Sequence, residues 1–494
     1  MTITKINKIT IVGGGTSAWL TAAYFNHNAP PGTEIVIIDK ENGSPIGVGE
    51  ATILSFKNFM DDCGIGINEW FDVVDATFKS GILFTNWHKE GEDIWHPFCF
   101  PYFDFFQTTL MNQWTKHQHY DFKDYVTALY PASVFDNTVD PNNLGVYAFH
   151  IDCGKLVKFL QERLISGSKV SLIKSEVVDV NFDGDHLKNV VLADGTIVSS
   201  SLFIDCTGFK RIISPKSEPH NLRDRLFCDT AVAGHIPYNN IDDERKPYVT
   251  CEAVEHGWIW NIPVRNRIGS GLVFNRSVTD PEEAKDYFIS HWDNRLERES
   301  LKLIDWTPYY HEYMWKGNVA SIGLSAGFIE PLESTGVALI CAGIWKLGDP
   351  VKTGFFNDVD CSIFNSQMKA FFEDSIDFVN MHYWNTQRSG RFWNWVKETY
   401  KITERLESYV DHLKTNPYTL PTQGQGKIFS GENWSTWLCQ LGFEICRKND
   451  GLGDEQSEQM LIDFNKNEAE KRKNLTHHSK FLEQFSNMLN EWKK

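Results

Sequence analysis

Short apolar runs and polar breaks alternate along the first 40 residues in the order strand, turn, helix, strand. A β-branched run from Ile9 to Val12 predicts a buried strand. Three glycines, Gly13–Gly15, interrupt this run, and good helix formers follow from Ala18 to Phe25. The next apolar run, Glu34–Ile38, predicts a second strand. This order is typical of the βαβ unit of an α/β fold.

The same periodicities predict further elements along the rest of the chain. Helical spacing covers 53–80, Asp152–Ser166, Val337–Trp345, most residues after 350 and the amphipathic tail 455–494. Strand patterns cover Ile82–Thr85, the hairpin Val177–Phe182 with Leu187–Leu192, Leu202–Ile204 and several runs within 228–275. Residues 88–148 are aromatic and irregular, which indicates an insertion. No internal repeat or break in composition forces separate domains.

The glycine turn fits a phosphate-binding fingerprint. Gly13-x-Gly15-x-x-Ala18 matches G-x-G-x-x-A, in which the first glycine makes a tight turn and the second lets the backbone approach a pyrophosphate. The N–H groups of the following helix face the anion. Asp39 ends the second strand about twenty residues further on, where an acid accepts hydrogen bonds from ribose hydroxyls. The alternative is a βαβ unit with an incidental glycine loop. The combination predicts nucleotide binding.

Composition excludes several classes of function. The net charge of −17 and pI of about 5.4 disfavour nucleic acid and anionic membrane as partners. No apolar run is long enough for a transmembrane helix, and the N-terminus enters the first strand without a signal-peptide pattern. The ten cysteines include no C-x-x-C pair, so we expect neither zinc nor a disulfide framework but a cytoplasmic enzyme. The 17 Trp, 34 Phe and 16 Tyr suit a site for planar molecules.

Two further segments bring candidate groups to strand ends. The strand Leu202–Ile204 runs into Asp205-Cys206-Thr207-Gly208, a pattern found in flavoproteins where a second strand end closes on the same nucleotide. A strand-like run near Gly323 leads through small residues and a proline turn into an apolar helix. The N–H groups of Thr335 and Gly336 at the start of that helix form a natural anion site.

Several short segments can be compared with known families as a set. They are Gly13–Trp19, Val48–Thr52, Ala76–Lys79, Phe149–Asp152, Asp205–Phe209, Gly257–Pro263, Ala326–Gly336, Asp377-Phe378, His382-Tyr383 and Phe392-Trp393. With these segments in this order, the chain resembles the flavin-dependent tryptophan halogenase family over roughly its first 400 residues. The W-x-W-x-I-P stretch and the lysine motif are specific to these halogenases, whereas many flavoproteins share the glycine-rich start.

The resemblance implies a fold class and a division of the chain. It implies an α/β fold with a flavin monooxygenase-like FAD-binding module, which contains the Rossmann-type βαβ unit and a β-sheet substrate side. A mostly helical module follows. We place the first module at 1–390, including the aromatic-rich insertion at about 88–148. The helical module at 391–494 is expected to cover the substrate site.

The resemblance also implies a mechanism, in which FAD (as FADH2), O2 and a halide ion yield hypohalous acid. Lys79 either hydrogen-bonds to this acid or carries the halogen as a haloamine, and delivers it to an electron-rich aromatic carbon of an indole-type substrate. Glu333 orients the halogenating species and helps the ring lose its proton. The backbone of Thr335 and Gly336 binds the halide, because an unpaired buried anion is costly. Without the motifs, Lys79 would be an ordinary solvated lysine and Glu333 an acid stabilised by the helix dipole.

The remaining residues implied by the resemblance bind the cofactor or line the route to the substrate. The cofactor-binding positions are Gly13, Gly15, Thr16, Ser17, Ala18, Asp39, Val48, Gly49, Ala51, Asp205, Gly323 and Ile329. The tunnel and substrate side consists of Trp258, Trp260, Pro331 and Ser334. No metal ligand is expected.

Other functions and several details stay open at this level. A FAD-dependent aromatic hydroxylase would not need Lys79 and Glu333 together, and a flavin-binding sensor or scaffold would need neither. No second G-x-G-x-x-G follows a strand, so we expect a separate flavin reductase to supply FADH2. The family's clamp for free tryptophan has no match in 400–494. Indoles and other small electron-rich aromatics are therefore candidate substrates at least as much as free tryptophan is. The choice among chloride, bromide and iodide, and a homo-oligomeric state, are also open.

Overall fold

The computed structural model describes residues 3–40, 50–98, 114, 116–117, 134–141, 146–166, 169–416, 427–443, 451–471 and 475–492. The chain forms two compact units, each assembled from three segments. Unit 1 comprises Met1–Ala76, Ile151–Leu226 and Trp306–Asp374, and unit 2 comprises Thr77–His150, Phe227–Asp305 and Ser375–Lys494. The functional division proposed at residue 390 stays a prediction, and that residue belongs to unit 2.

The strands of the described residues are numbered here in chain order. They are β1 Thr4–Lys5, β2 Lys8–Val12, β3 Glu34–Asp39, β4 Glu50–Ala51, β5 Thr77–Lys79, β6 Gly81–Thr85, β7 Asp93–Pro97, β8 Thr138–Val139, β9 Ala148–Ile151, β10 Val170–Lys174, β11 Val177–Asp183, β12 His186–Leu192 and β13 Ile197–Val198. The second half of the chain adds β14 Leu202–Asp205, β15 Pro219–Asn221, β16 Thr230–Ile236, β17 Val249–Val254, β18 Gly257–Pro263, β19 Ile268–Phe274, β20 Lys302–Asp305, β21 Tyr309–His311, β22 Trp315–Lys316, β23 Val319–Ser321, β24 Gly327–Phe328, β25 Phe355–Phe356 and β26 Thr476–His477.

The α-helices are numbered in the same way. They are α1 Thr16–Asn28, α2 Phe56–Asp62, α3 Ile67–Trp70, α4 Cys153–Ile165, α5 Ile241–Glu244, α6 Pro281–His291, α7 Thr335–Thr353, α8 Asp358–His382, α9 Arg391–Thr399, α10 Glu404–Thr415, α11 Gly431–Gln440, α12 Asp454–Lys471 and α13 His478–Trp492. Short 3-10 turns occupy Gly208–Lys210, Arg298–Ser300, Gly323–Ser325 and Leu332–Ser334. Among the described helices, none combines the length and the apolar character that a membrane span requires.

Unit 1 contains the predicted βαβ unit, in β2, α1 and β3. These strands lie in a six-stranded sheet of order β10-β3-β2-β14-β23-β22, parallel throughout except for the antiparallel edge strand β22. The strands β2, β14 and β23 therefore end at the same edge, where nucleotides bind in open α/β sheets. Apolar residues of β2, β3 and β14 pack against the predicted hairpin β11–β12. The mixed α/β class expected from the sequence is confirmed.

Unit 2 contains a seven-stranded sheet of order β20-β16-β19-β18-β17-β6-β7. All its strand pairs are antiparallel except β17 with β6. Helix α6 packs on this sheet through Ala284 and Phe288, within a cluster that includes Val232 and Leu272. The helices predicted after residue 350 and in the tail are present as α8–α13 in the described residues.

The predicted helix over 53–80 is wrong in extent. The chain forms only the short helices α2 and α3 in this region and then turns into the strand β5. Gly64 follows α2 with φ +69°, a left-handed conformation that ends helices. Asp75 adopts φ 52° just before β5. These two breaks place Lys79 on a strand rather than at the end of a helix.

Candidate active site

Gly13 and Gly15 in the glycine turn meet different constraints. Gly13 has φ +120°, and its N–H donates to the carbonyl of Ile38 at 2.8 Å. A Cβ added at Gly13 would lie 2.3 Å from the carbonyl oxygen of Cys206. A Cβ added at Gly15 would meet no described atom within 4 Å. The fold itself therefore requires glycine at 13, whereas the space at 15 is open for a ligand.

The start of α1 and the end of β3 meet above this turn. Gly15 is the N-cap of α1, and no side chain caps the helix there, which leaves backbone N–H groups of the first turn for an anion. A Cβ at Gly14 would lie 1.9 Å from a carboxylate oxygen of Asp39. Burial raises the pKa of Asp39 above its usual value. Thr16 and Ser17 occupy the first turn and Ala18 is fully buried.

Asp205 at the end of β14 holds its own loop together. Its buried carboxylate accepts hydrogen bonds from the Thr207 N–H (2.8 Å) and hydroxyl (2.7 Å), the Ser325 hydroxyl (2.8 Å), the Ile213 N–H (2.9 Å) and the Ser214 hydroxyl (2.8 Å). Both carboxylate oxygens are thus occupied by protein donors. Asp205 shapes the strand-end loops, because Ser325 belongs to the segment that follows β23.

Gly323 brings the end of β23 against α1. It has φ +72°, and a Cβ there would lie 2.9 Å from the Cβ of Ser17. Ala51 and Ile329 are buried in unit 1. Unit 1 therefore gathers the predicted cofactor residues of the glycine turn, Asp39, Asp205 and Gly323 at one sheet edge. The predicted positions Val48 and Gly49 lie outside the described residues.

The segment before α7 has a strained backbone. Glu333 and Ser334 both have φ 60°, a left-handed conformation that costs non-glycine residues free energy. Glu333 is buried, at 5% exposure, whereas Pro331 is exposed. Two consecutive left-handed residues turn the chain sharply into the helix and orient the Cα–Cβ bond of Glu333.

The predicted halide residues begin α7. Thr335 is buried, its N–H donates to the carbonyl of Leu332, and its hydroxyl donates to the same carbonyl at 3.2 Å. Gly336 is exposed, and a Cβ there would meet no described atom within 4 Å. The geometry leaves more room for an anion at Gly336 than at Thr335.

Lys79 is completely buried in unit 2, at 0% exposure. It ends β5, which pairs antiparallel with β9 so that Lys79 faces Ala148. The Phe98 ring centroid lies 5.1 Å from the Lys79 Nζ. A buried ammonium is destabilising unless other groups or a ligand compensate its charge. The alternative of an ordinary solvated lysine is wrong.

His150 on β9 lies directly across from Thr77 on β5. The Thr77 Oγ1 is 2.8 Å from the His150 Nδ1 and 2.7 Å from the carbonyl oxygen of Pro263. Burial, and next the nearby charge of Lys79, hold the pKa of His150 well below its usual value. The ring is therefore neutral and tied to the same strand pair as the lysine.

Trp258 and Trp260 lie on one face of β18, as the i, i+2 spacing predicts. The Trp258 Nε1 donates to the Tyr383 hydroxyl at 3.1 Å, and its ring is 6.2 Å from that of Trp260. The Trp260 ring covers Gly271, where a Cβ would lie 2.2 Å from a ring carbon. Both tryptophans are buried in unit 2.

Two residues near Lys79 were missed among the predicted site residues. Phe98 falls in the aromatic stretch that the sequence pattern marks only as an insertion, so nothing local singles it out. His150 belongs to the segment Phe149-His150-Ile151-Asp152, which carries the family resemblance but had no role assigned. His150 and Phe149 are neighbours on a strand and so point to opposite faces. This alternation was the sequence signal that could have placed His150 on the face of Lys79.

Comparison with known proteins identifies the family of the chain. The family model described as tryptophan halogenase matches residues 8–455. Tryptophan 6-halogenase ThaL of Streptomyces albogriseolus is 29% identical over 457 residues, covering 86% of this chain and 85% of that protein. Tryptophan 7-halogenase RebH of Lentzea aerocolonigenes is 28% identical over 456 residues, covering 86% of each.

The fold agrees with solved structures over nearly the whole chain. BrvH, a flavin-dependent halogenase from Brevundimonas sp. BAL3, superposes with a TM-score of 0.86 at 26% identity, covering 97% of this chain and 99% of that chain. The family match spans the glycine turn, the Lys79 strand and the Glu333 segment. The chain therefore belongs to the tryptophan halogenase family and is a flavin-dependent halogenase.

Proposed function

We propose that this chain uses FADH2, O2 and a halide to make hypohalous acid, whose halogen Lys79 delivers to an electron-rich, indole-type aromatic substrate. A separate flavin reductase supplies the FADH2. The observation that carries the proposal is the Lys79 ammonium, fully buried on β5 with an aromatic ring 5.1 Å away. Burying a lysine is destabilising unless its charge is compensated or used, because burial disfavours the charged form.

The glycine turn of unit 1 fits the pyrophosphate of FAD. Gly15 leaves open space beside the uncapped start of α1, where backbone N–H groups bind phosphate oxygens. Asp39 offers its carboxylate to a ribose hydroxyl pair at the end of β3. Asp205 acts through the loops that it holds, since its oxygens are already occupied. When bound, the flavin supplies the oxidation that turns halide into hypohalous acid.

We assign halide binding to the start of α7. The positive end of the helix dipole and the N–H of Gly336 stabilise an anion there. The N–H of Thr335 is engaged by Leu332, so in this proposal Gly336 contributes the larger part. The exposed surface of Gly336 gives the ion access.

Lys79 has two chemically distinct ways to deliver the halogen. As an ammonium it donates a hydrogen bond to the oxygen of hypohalous acid and polarises the oxygen–halogen bond. As a neutral amine it takes the halogen, and the departing oxygen leaves as water with the N–H proton. Burial of Lys79 excludes water, which protects either species from side reactions.

Glu333 is assigned the removal of the proton from the halogenated ring. The two left-handed residues before α7 orient its Cα–Cβ bond, which suits a carboxylate that must act at one position. A helix N-terminal acid with a purely structural role has no need of this strain, because Asp or Glu in ordinary first-turn geometry interacts with the dipole equally well.

The substrate class follows from the relatives and from the aromatic surroundings of Lys79. ThaL and RebH are named as halogenases of tryptophan, which contains an indole ring. Electrophilic halogen requires an electron-rich carbon, and indoles provide one. The choice between free tryptophan and other indoles is an outcome of the assay described next.

The proposal is tested by reconstituting turnover with a flavin reductase, NADH, FAD and each halide in turn. Tryptophan, indole and a phenol serve as substrates, and mass spectrometry reads the products. We expect a halogenated indole ring from at least one indole substrate. Hydroxylated product without halogen, or flavin oxidation without any aromatic product under every condition, would contradict the proposal.

Glu333→Gln keeps the side-chain size and removes the base. We expect product formation to fall about 10²- to 10⁴-fold while FAD binding stays as in the unchanged protein, because a positioned base contributes about that factor. Glu312→Gln, at a partly exposed glutamate of the same unit, serves as the control and should leave turnover unchanged. Equal rates for Glu333→Gln and the control would remove Glu333 from the mechanism.

A further inference from the structure

The pairing of β5 with β9 places three polar side chains on one face of unit 2. Thr77 and Lys79 are two residues apart on β5, so they point to the same side. His150 faces Thr77 across the pair and is therefore the diagonal neighbour of Lys79. All three side chains are fully buried. Diagonal neighbours on one face of a strand pair lie within reach of long side chains.

The hydrogen bonds of Thr77 fix the tautomer of His150. The Pro263 carbonyl can only accept, so the Thr77 hydroxyl donates its proton there at 2.7 Å. The Thr77 oxygen must then accept from His150, which puts the imidazole proton on Nδ1 at 2.8 Å. The Nε2, the ring nitrogen farther from the backbone, is left with a lone pair.

This lone pair has no hydrogen-bond partner among the described residues. A buried acceptor without a partner is destabilising, and such groups in native structures point to a ligand or another function. Burial keeps the ring neutral, because the pKa of His150 lies well below its usual value. Protonation therefore does not convert Nε2 from an acceptor into a donor near neutral pH.

We infer that His150 is a second binding residue for hypohalous acid: its Nε2 accepts the O–H of the acid while Lys79 donates to the oxygen. The inference rests on the proposed function, in which the acid is held at Lys79. A molecule with one O–H group satisfies both side chains at once and becomes fixed in direction, with its halogen turned away from them. The neutral acceptor also selects the acid over the hypohalite anion, which has no proton to donate.

A matched pair of substitutions distinguishes the roles of the two ring nitrogens of His150. In His150→Gln the side-chain amide oxygen reaches the position of Nε2 and keeps an acceptor there, but the donor to Thr77 is lost. In His150→Asn the amide nitrogen reaches the position of Nδ1 and keeps the donor to Thr77, but the acceptor at Nε2 is lost. A residue that only supports the strand pair would be better replaced by asparagine.

Each variant is assayed for FAD binding, flavin oxidation, halogenated indole and hypohalous acid that escapes to a trap in bulk solution. For His150→Asn we expect unchanged flavin oxidation, about a 10-fold fall in halogenated product and a matching rise in trapped acid, the scale of one lost hydrogen bond. His150→Gln should stay within about threefold of the unchanged protein. The reverse order, or no change in both, would overturn the inference.

Thr77→Val covers the case in which neither histidine variant folds. Valine keeps the shape of threonine but cannot accept the proton of Nδ1, so the tautomer is no longer fixed and the trapped acid should rise. Unchanged trapping in Thr77→Val would overturn the inference. Lys79→Met tests the proposed function separately, because product formation by that variant would refute the lysine assignment whatever the histidine variants do.

Discussion

In the glycine turn of unit 1 the groups available to a ligand belong to the backbone, whereas in the β5–β9 pair of unit 2 they are the side chains of Lys79 and His150. The turn achieves its geometry by having no side chains: Gly13 approaches Cys206 closely, and Gly15 leaves open space. The strand pair instead buries a cation next to a neutral imidazole. The first arrangement costs conformational entropy and the second costs desolvation.

The glycine turn is suited to binding, and the strand pair is suited to chemistry. Backbone N–H groups hold an anion firmly but cannot change their protonation state or form a bond to a halogen. A lysine amine can do both. Changes in the turn should therefore affect cofactor affinity, whereas changes in the strand pair should affect the fate of the halogen.

Replacing the lysine should have the largest effect. In Lys79→Met the side chain keeps its length but loses its amine, and we expect halogenated product to fall by at least about 100-fold, within the range of a lost catalytic group. Flavin oxidation by O2 should continue, because the glycine turn is unchanged. Product is measured by mass spectrometry and flavin oxidation by absorbance.

The matched control is Lys89→Met, which removes an exposed lysine that pairs with Glu92 at 2.8 Å in the same unit. It should retain normal product formation. Normal halogenation by Lys79→Met, or loss of flavin oxidation together with product, would contradict the division of roles between the glycine turn and the strand pair.

Substitutions at the two glycines should have the next largest effect. One should affect FAD binding and the other the stability of the fold. Gly15→Val should weaken FAD binding by about 100-fold or more by crowding the pyrophosphate, while the free energy of unfolding of the protein without FAD changes by no more than about 1 kcal/mol. Gly13→Val should instead lower that free energy by more than about 2 kcal/mol, because its Cβ would overlap the Cys206 carbonyl at a left-handed φ.

Equilibrium dialysis of FAD and urea unfolding of the FAD-free protein measure the two quantities. If both variants lose stability equally, the fold itself requires glycine at position 15, and the open space there is not room for a ligand. If Gly15→Val binds FAD normally, the pyrophosphate lies elsewhere.

The same contrast explains how far the sequence could predict the site. The glycine turn, its flanking elements and Asp39 are local, since each requirement is met within about thirty residues of one βαβ unit. The fold class, the hairpin β11–β12 and the late helices follow from periodicity for the same reason. The role of Asp205 in holding loops could not be predicted, because its partner Ser325 lies far along the chain.

The environment of Lys79 could not be predicted from the sequence for a related reason. Apolar spacing in 53–80 suggested a helix, and the strand β5 exists because it pairs with β9, which is distant in sequence. The same pairing makes His150 the diagonal neighbour of the lysine, and Phe98, just after β7, lies near its ammonium. The family resemblance identified the lysine, but neither spacing nor resemblance assigned a role to its neighbours.

The smallest expected effect concerns the pH dependence of stability near this strand pair. His478, at the start of α13, donates from Nδ1 to the Arg245 carbonyl at 3.1 Å and is fully buried. Burial lowers the pKa of His478 to about 3. Because the unfolded chain binds a proton near pH 6.5 and the folded chain does not, stability should fall as pH drops below that value, by about 1.4 kcal/mol per pH unit for this group.

His478→Asn keeps a donor for the Arg245 carbonyl and removes the titrating ring. Urea unfolding at several pH values between 6.5 and 5 should therefore give a shallower loss of unfolding free energy than the unchanged protein, by about 1.4 kcal/mol per pH unit. Both proteins should behave alike above pH 7.5, where the ring is neutral in both states. An identical slope for the two proteins would mean that His478 gains its proton in the folded state, and that the region beside β5 is open to water rather than dry. In a water-filled region His150 would also gain a proton more readily, so this measurement of stability bears directly on the chemistry assigned to the strand pair.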